Sequence, residues 1–192
     1  MVRLTRIYTR TGDAGDTSLA TGERIRKSHP RVASYGAVDE VNACLGLVRV
    51  QTAGDPVLDQ MLARIQNELF DLGADVSTPE RGVRAGVQAL RITEGQVERL
   101  EAEIDQLNGE LSPLNSFVLP GGSSAAAALH QARTVCRRAE QLLIALADLP
   151  GEDVSGPALK YLNRLSDLLF TAARWANDKG REDVLWTPGA TR

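Results

Sequence analysis

The stretch Tyr8-Thr9-Arg10-Thr11-Gly12-Asp13-Ala14-Gly15-Asp16-Thr17-Ser18 sets two glycines three residues apart among threonine hydroxyls and an arginine. Such a run can curl into a nest of backbone N–H groups that donate to phosphate oxygens, with threonine or aspartate side chains beside a magnesium ion. Taken alone, it reads more readily as an ordinary polar turn. It carries neither the GxxxxGK(S/T) phosphate loop nor the GxGxxG dinucleotide fingerprint. Lys27 closes Glu23-Arg24-Ile25-Arg26-Lys27, which is either a solvated connection or a means of bringing a point charge to a polyphosphate.

A second group of candidates lies on helical periodicity. At about 100° per residue, Arg133, Arg137, Glu140 and Gln141 share one stripe, and Arg138 lies off it. Two arginines one turn apart present forked donors to one anion, although an exposed arginine stripe is also ordinary surface. Asn163, Asp167, Phe170 and Arg174 fall at i, i+4, i+7 and i+11, a continuous face of a later helix. Asp39 and Glu40 are routine surface charges unless Asp39 faces an arginine. The segment Ser116-Phe117-Val118-Leu119-Pro120-Gly121-Gly122-Ser123 is aromatic and aliphatic and must pack on something. Composition favours the core; a wall of an apolar ligand pocket is the sharper reading.

Five stretches have the periodicity to position these residues. They run over about 30–53, 56–73, 93–108, 124–147 and 157–178, with apolar positions at three- and four-residue steps. Asp55-Pro56 is a cap followed by proline at the first helical position, and Thr93 with Gln96 forms a capping box. Arg6-Ile7-Tyr8-Thr9 is the one short β-like piece. Residues 76–92 and 109–122 are long connections, which tend to be functional when ordered. The expectation is an all-α fold, a five-helix bundle with a structured N-terminal arm. One domain over 1–192 is expected, with the arm at about 5–28 and the bundle at about 30–180.

Composition narrows the function. The 192 residues carry a net charge of −3, which argues against a general nucleic-acid binder, and 43% of them are hydrophobic, enough for a real core. No apolar run approaches membrane-spanning length, and the basic N-terminus has no apolar signal core behind it, so a cytoplasmic location is expected. Cys44 and Cys136 fit no CxxC spacing and read as reduced thiols. His29 and His130, the only histidines, form no ExxH pair, which removes a di-iron bundle site. No Ser-His-Asp or Cys-His nucleophile set is apparent.

Together these segments resemble the PduO-type ATP:cob(I)alamin adenosyltransferase family. The matching pieces are IYTRTGDAGDTSL (7–19), YGAVDEVNACLG (35–46), SFVLPGG (116–122), ALHQARTVCRRAEQ (128–141) and YLNRLSDLLFTAAR (161–174), in family order from end to end. The resemblance implies a ferritin-like trimer of five-helix bundles with ATP bound between subunits. It also implies attack of Co(I) on the 5′-carbon of ATP, with Mg²⁺ bound mainly through the phosphates. By the same resemblance Thr9, Arg10, Thr11, Gly12, Thr17, Ser18 and Lys27 form the ATP arm. Arg133, Arg137, Arg138, Glu140 and Asn163 supply the other nucleotide contacts. Asp39 is implied to pair with Arg133 across the subunit interface, Phe117 to cover the lower corrin face, and Phe170 and Asp167 to lie near that pocket. Arg10 stands where many relatives carry lysine, and Gln141 where some carry arginine. A reductase and a B12-dependent acceptor enzyme are the implied partners. Two other classes compete with this one: an ATP-gated corrinoid carrier without turnover, and a structural bundle whose arginines are only solvated.

Overall fold

In the computed structural model, which describes residues 7–192, five helices form the body: α1 (Pro30–Thr52), α2 (Pro56–Val76), α3 (Glu94–Asn108), α4 (Ser124–Ala147) and α5 (Gly156–Trp175). Each begins where a side chain relieves the unpaired first-turn N–H groups. His29 accepts from Arg31 N–H, Asp55 from Val57 and Leu58, Ser123 from Ala126 and Ser155 from Ala158. Thr93 and Gln96 make the expected capping box.

Two ends differ from the periodicity. Helix α2 runs through Gly73 to Val76, because the glycine keeps helical backbone there and the chain stops only at Ser77. Helix α5 stops at Trp175, short of residue 178, because Asp178 and Lys179 take φ of 52° and 54° and turn the chain back. The β-like reading of residues 6–9 is also corrected. Arg6 lies outside the described residues, and Tyr8 and Thr9 join no strand. Two three-residue strands, β1 (Asp16–Ser18) and β2 (Arg24–Arg26), instead pair antiparallel with Thr17 opposite Ile25. Strands this short leave no alternation to read.

Helix α4 is central, packing on α1 and α5; α2 leans on α1, and α3 on α5. The shared core contains Val41, Leu45, Leu62, Ile65, Leu100, Leu129, Leu143 and Leu165, all buried. Alanines at 126, 132, 139 and 173 are buried on α4 and α5, where small side chains allow close approach. One large polar group is buried with them. Arg31, 1% exposed, donates to Glu152 at 2.9 and 2.5 Å, to the Val76 carbonyl at 2.7 Å and to the Asp153 carbonyl at 2.9 Å.

The connection after α2 docks the N-terminal arm. Ala20 N–H donates to the Ser77 carbonyl at 3.1 Å, Leu19 is buried, and Arg81 reaches Glu23 at 3.5 Å while also bonding Glu152. Among the described residues no helix is long and apolar enough to cross a membrane.

Candidate active site

The arm is a tight turn closed by its own backbone. Gly15 N–H donates to the Gly12 carbonyl at 3.1 Å, and Lys27 N–H to the Gly15 carbonyl at 2.8 Å. The glycines are needed for fit. A Cβ on Gly12 would sit 3.1 Å from the Asp16 carbonyl oxygen, and Gly15 holds φ of +89° against the Arg26 guanidinium. Arg24 donates to the Thr11 carbonyl at 2.9 Å, and Arg26 to the Ala14 carbonyl at 2.9 Å and to Asp16 at 3.1 Å. Both arginines are therefore spent on holding the turn, whereas Lys27 lies against it. The Thr9 and Thr11 hydroxyls are 2.8 Å apart, and Arg10, at a left-handed φ of 62°, lays its guanidinium over Tyr8 at 5.6 Å.

Ser18, at the end of β1, opens onto a cavity of about 530 Å³ between the arm, α1 and α2. Asp39 lines it together with Tyr35, Asn42 and Phe70. Asp39 makes no contact with Arg133 within the chain, because Arg133 lines a different cavity.

That second cavity, about 560 Å³, lies between α4, α5 and the connection before α4; it is walled by Leu114, Ser116, Phe117, Val118, Arg133 and Phe170. Phe117 is 77% exposed, so core packing is not what this segment does. Its ring meets Trp186 at 6.0 Å. Phe170 is half-buried and takes the edge of His130 at 6.2 Å. His130 is 1% exposed, and neither ring nitrogen has a partner among the described residues. Burial first, and then the charge of Arg133, push its pKa down, with Asp183 opposing.

Arg133 has a buried Nε without a partner among the described residues; burial and the neighbouring Arg137 hold its guanidinium below the ordinary arginine range. Arg137 is exposed one turn further along α4. Glu140 accepts from Asn163 Nδ2 at 2.9 Å, and Arg164 donates to Asn163 Oδ1 at 2.5 Å, which fixes the side-chain amide's orientation. Asp167 is exposed on α5.

Arg138, off the stripe by the helical arithmetic, and Arg174, at the end of the α5 face, both find carboxylate partners within the chain. Arg138 points to α1 and pairs with Glu40 at the surface. Arg174 keeps its angular position on α5 but is buried against Asp183 at 2.7 Å, because the chain beyond α5 folds back over that turn. The structure thus divides the expected residues: Ser18 and Asp39 line the first cavity, and Phe117, Arg133 and Phe170 line the second. The glycine turn stands on one side, with Lys27 making no side-chain hydrogen bond or ion pair among the described residues. On the other, two arginines without carboxylate partners among the described residues stand beside an aromatic wall.

The sequence model of the family described as cobalamin adenosyltransferase matches residues 7–176, which include both groups. The chain belongs to the cobalamin adenosyltransferase family. It is 49% identical over 193 residues to the corrinoid adenosyltransferase of Mycobacterium tuberculosis (strain H37Rv), covering 100% of this chain and 97% of that one. Identity to the corrinoid adenosyltransferase of Bacillus subtilis is 43% over 176 residues, 90% of this chain and 86% of the relative. Among solved structures, it is similar to a variant of the PduO-type ATP:corrinoid adenosyltransferase from Lactobacillus reuteri complexed with cobalamin and ATP. The TM-score is 0.86 at 36% identity, covering 94% of this chain and 99% of that one.

In this adenosyltransferase, residues outside the matching motifs support the aromatic wall without lining the cavity. Trp186 is one, and Asn177 and Asp183, which hold its segment in place, are two more. The sequence signal for this segment was a short apolar run, Val184-Leu185-Trp186, in a mostly polar tail.

Proposed function

We propose that each active site is assembled from two copies of the chain in a homotrimer, the arm and Asp39 of one copy facing the Arg133 cavity of the next. The reaction is transfer of the 5′-deoxyadenosyl group of ATP to the cobalt of cob(I)alamin, forming adenosylcobalamin and releasing triphosphate. One observation carries the two-copy reading. Residues that must meet around one ATP and one corrinoid line separate cavities of a single chain, and Arg133 keeps an unpartnered buried Nε. Asp39 of a neighbouring copy is the carboxylate that would answer it.

The nucleophile belongs to the corrinoid substrate, so the protein's work is positioning and charge. Thr9, Arg10, Thr11, Gly12, Thr17, Ser18 and Lys27 hold the triphosphate. Arg137 meets the charge that grows on it as the C5′–O bond breaks. Glu140 fixes Asn163, and Arg138 braces α1 through Glu40; both keep the nucleotide side of α4 in place. Phe117, backed by Trp186, and Phe170 cover the lower corrin face and exclude water and the lower axial ligand, which makes Co(II) easier to reduce. Asp167 supports the rim of this pocket. The described residues contain no group of three acidic, histidine or cysteine side chains suited to a metal. The Thr9 and Thr11 hydroxyls suit an ion bound chiefly through phosphate oxygens, and Mg²⁺ there would offset the triphosphate charge. A cytoplasmic setting, a reductase donor and a B12-dependent acceptor complete the reading.

An anaerobic assay with ATP, Mg²⁺ and chemically reduced cobalamin tests the chemistry. Repeated turnover to adenosylcobalamin with triphosphate is expected, whereas ATP binding without product points to a carrier. Mixing Lys27→Ala with Arg137→Ala chains tests the assembly. A site shared between copies regains activity in the mixture, and a site contained in one chain does not.

A further inference from the structure

We propose that Arg174, Asn177 and Asp183 form a clamp that sets the Phe117 segment in place, and that Asp183 is a positioning residue for the corrinoid; this rests on the reading of the second cavity given above. The connection between α3 and α4 is gripped at three points. Near its start, Arg174 Nη2 donates to the Ser112 carbonyl at 2.8 Å. At its end, Asn177 accepts from Ser123 N–H at 2.9 Å and donates to the Gly121 carbonyl at 3.2 Å. Across its middle, the returning tail pairs like a strand. Leu119 N–H donates to the Val184 carbonyl at 2.7 Å, Trp186 N–H to the Phe117 carbonyl at 2.8 Å, and Ser116 Oγ to the Trp186 carbonyl at 2.6 Å.

Asp183 joins these grips. Its carboxylate accepts from Arg174 Nε at 2.7 Å and from Asn177 Nδ2 at 3.3 Å, and its side chain is only 2% exposed. The backbone is shaped for this contact. Gly180 holds φ of +85°, and a Cβ there would lie 2.8 Å from Arg174 Nη2; Gly122 holds +98°, and a Cβ there would lie 2.2 Å from Asn177. Helix α5 therefore ends in a polar knot from which the tail leaves at a fixed angle, directly alongside Phe117. None of the three residues lines the cavity, so they act only through the segment they hold. Without the Asp183 charge, Arg174 would be left buried and uncompensated, and the tail would lose its anchor.

The test uses the full-length Asp183→Asn enzyme, which keeps the side-chain shape. Its KM for cob(I)alamin should rise about tenfold or more while its KM for ATP stays within about twofold, the loss of a charged hydrogen bond being of that size. Amide exchange at Leu119 and Trp186 should accelerate in the same variant. Parallel rises in both KM values would overturn the proposal, since a general weakening of the fold does that. An unchanged corrinoid KM, or unchanged exchange at those two amides, would overturn it as well. If the parent enzyme forms no adenosylcobalamin, the cavity reading is what fails, and the exchange rates alone decide the clamp. Should Asp183→Asn not fold, Ser116→Ala removes one surface bond of the same strap. A rise of about threefold or more in corrinoid KM alone is then expected, and no rise overturns the idea.

Discussion

Replacing Phe117 by alanine should separate the fold from the reaction. The ring is 77% exposed, its sheltered part resting against Trp186. A phenylalanine side chain offers roughly 200 Å², so truncation removes about 50 Å² of buried surface, or about 1 kcal/mol at ~25 cal/mol per Å². In a chain of this length that is about 2–4 °C of melting temperature. A corrinoid lying on the ring would cover the other ~150 Å², worth up to about 4 kcal/mol, or on the order of several-hundred-fold in affinity. The activity loss should therefore far outrun the stability loss. Two anaerobic assays divide it further, one supplied with Co(I) and one that must reduce Co(II). Alanine no longer excludes water and the lower ligand from the metal, so the Co(II) assay should lose at least about tenfold more, a barrier difference near 1.4 kcal/mol. Equal losses in the two assays would refute the role. A melting-temperature drop beyond about 8 °C would instead make the ring a structural one.

Other residues give separate tests. Arg137→Ala should lower kcat by about a hundredfold or more, since a donor to the departing triphosphate is removed; unchanged kinetics take Arg137 out of the site. Asp39→Asn should weaken ATP binding and slow turnover by displacing Arg133 of the neighbouring copy, and normal ATP affinity and rate contradict that pairing. Arg31→Met leaves Glu152 with Arg81 but strips the Val76 and Asp153 carbonyls of their buried donor, and should cost about 3 kcal/mol, seen as a fall of about 6 °C or more in melting temperature; a fall under about 2 °C would show the pair to be dispensable. His130 should make stability depend on pH. Burial and Arg133 depress its folded pKa, so below about pH 6.5 the unfolded chain binds the extra proton and stability falls as pH drops. His130→Gln should flatten the melting-temperature profile between about pH 7 and 5, and matching slopes for parent and variant would refute the assignment.

What was legible in the sequence was mostly local. Asp55-Pro56, Thr93 with Gln96 and Asn108-Gly109 mark helix ends because each cap is made within a few residues of itself. The β1–β2 pair was not legible. Three-residue strands carry no alternation, and their turn is held by arginine hooks from Arg24 and Arg26 to carbonyls up to 13 residues away. The site residues could be named only through the family resemblance that the ordered motifs carry, and their division between two cavities depends on how α1, α4 and α5 pack. Arg174 shows the limit of stripe arithmetic. Its angular position on α5 was right, yet the backbone reversal at Asp178 and Lys179 covers that last turn and makes a surface position a buried one. The exposure of Phe117 was hidden for a similar reason, since a tail from the far end of the chain holds its segment at the surface.

The buried guanidinium of Arg31 also bears on the order in which the chain assembles. It joins the start of α1 to a carbonyl 45 residues ahead and a carboxylate 121 residues ahead. Closing loops of that span costs chain entropy before any contact repays it, so this junction belongs late on the folding path, after the α1–α2 hairpin and the α4–α5 pair have formed. Interactions absent from the transition state act on the unfolding rate and leave the folding rate nearly untouched. The Arg31 knot is thus a latch on kinetic lifetime: a chain without it would fold at nearly the parent speed and open far more often.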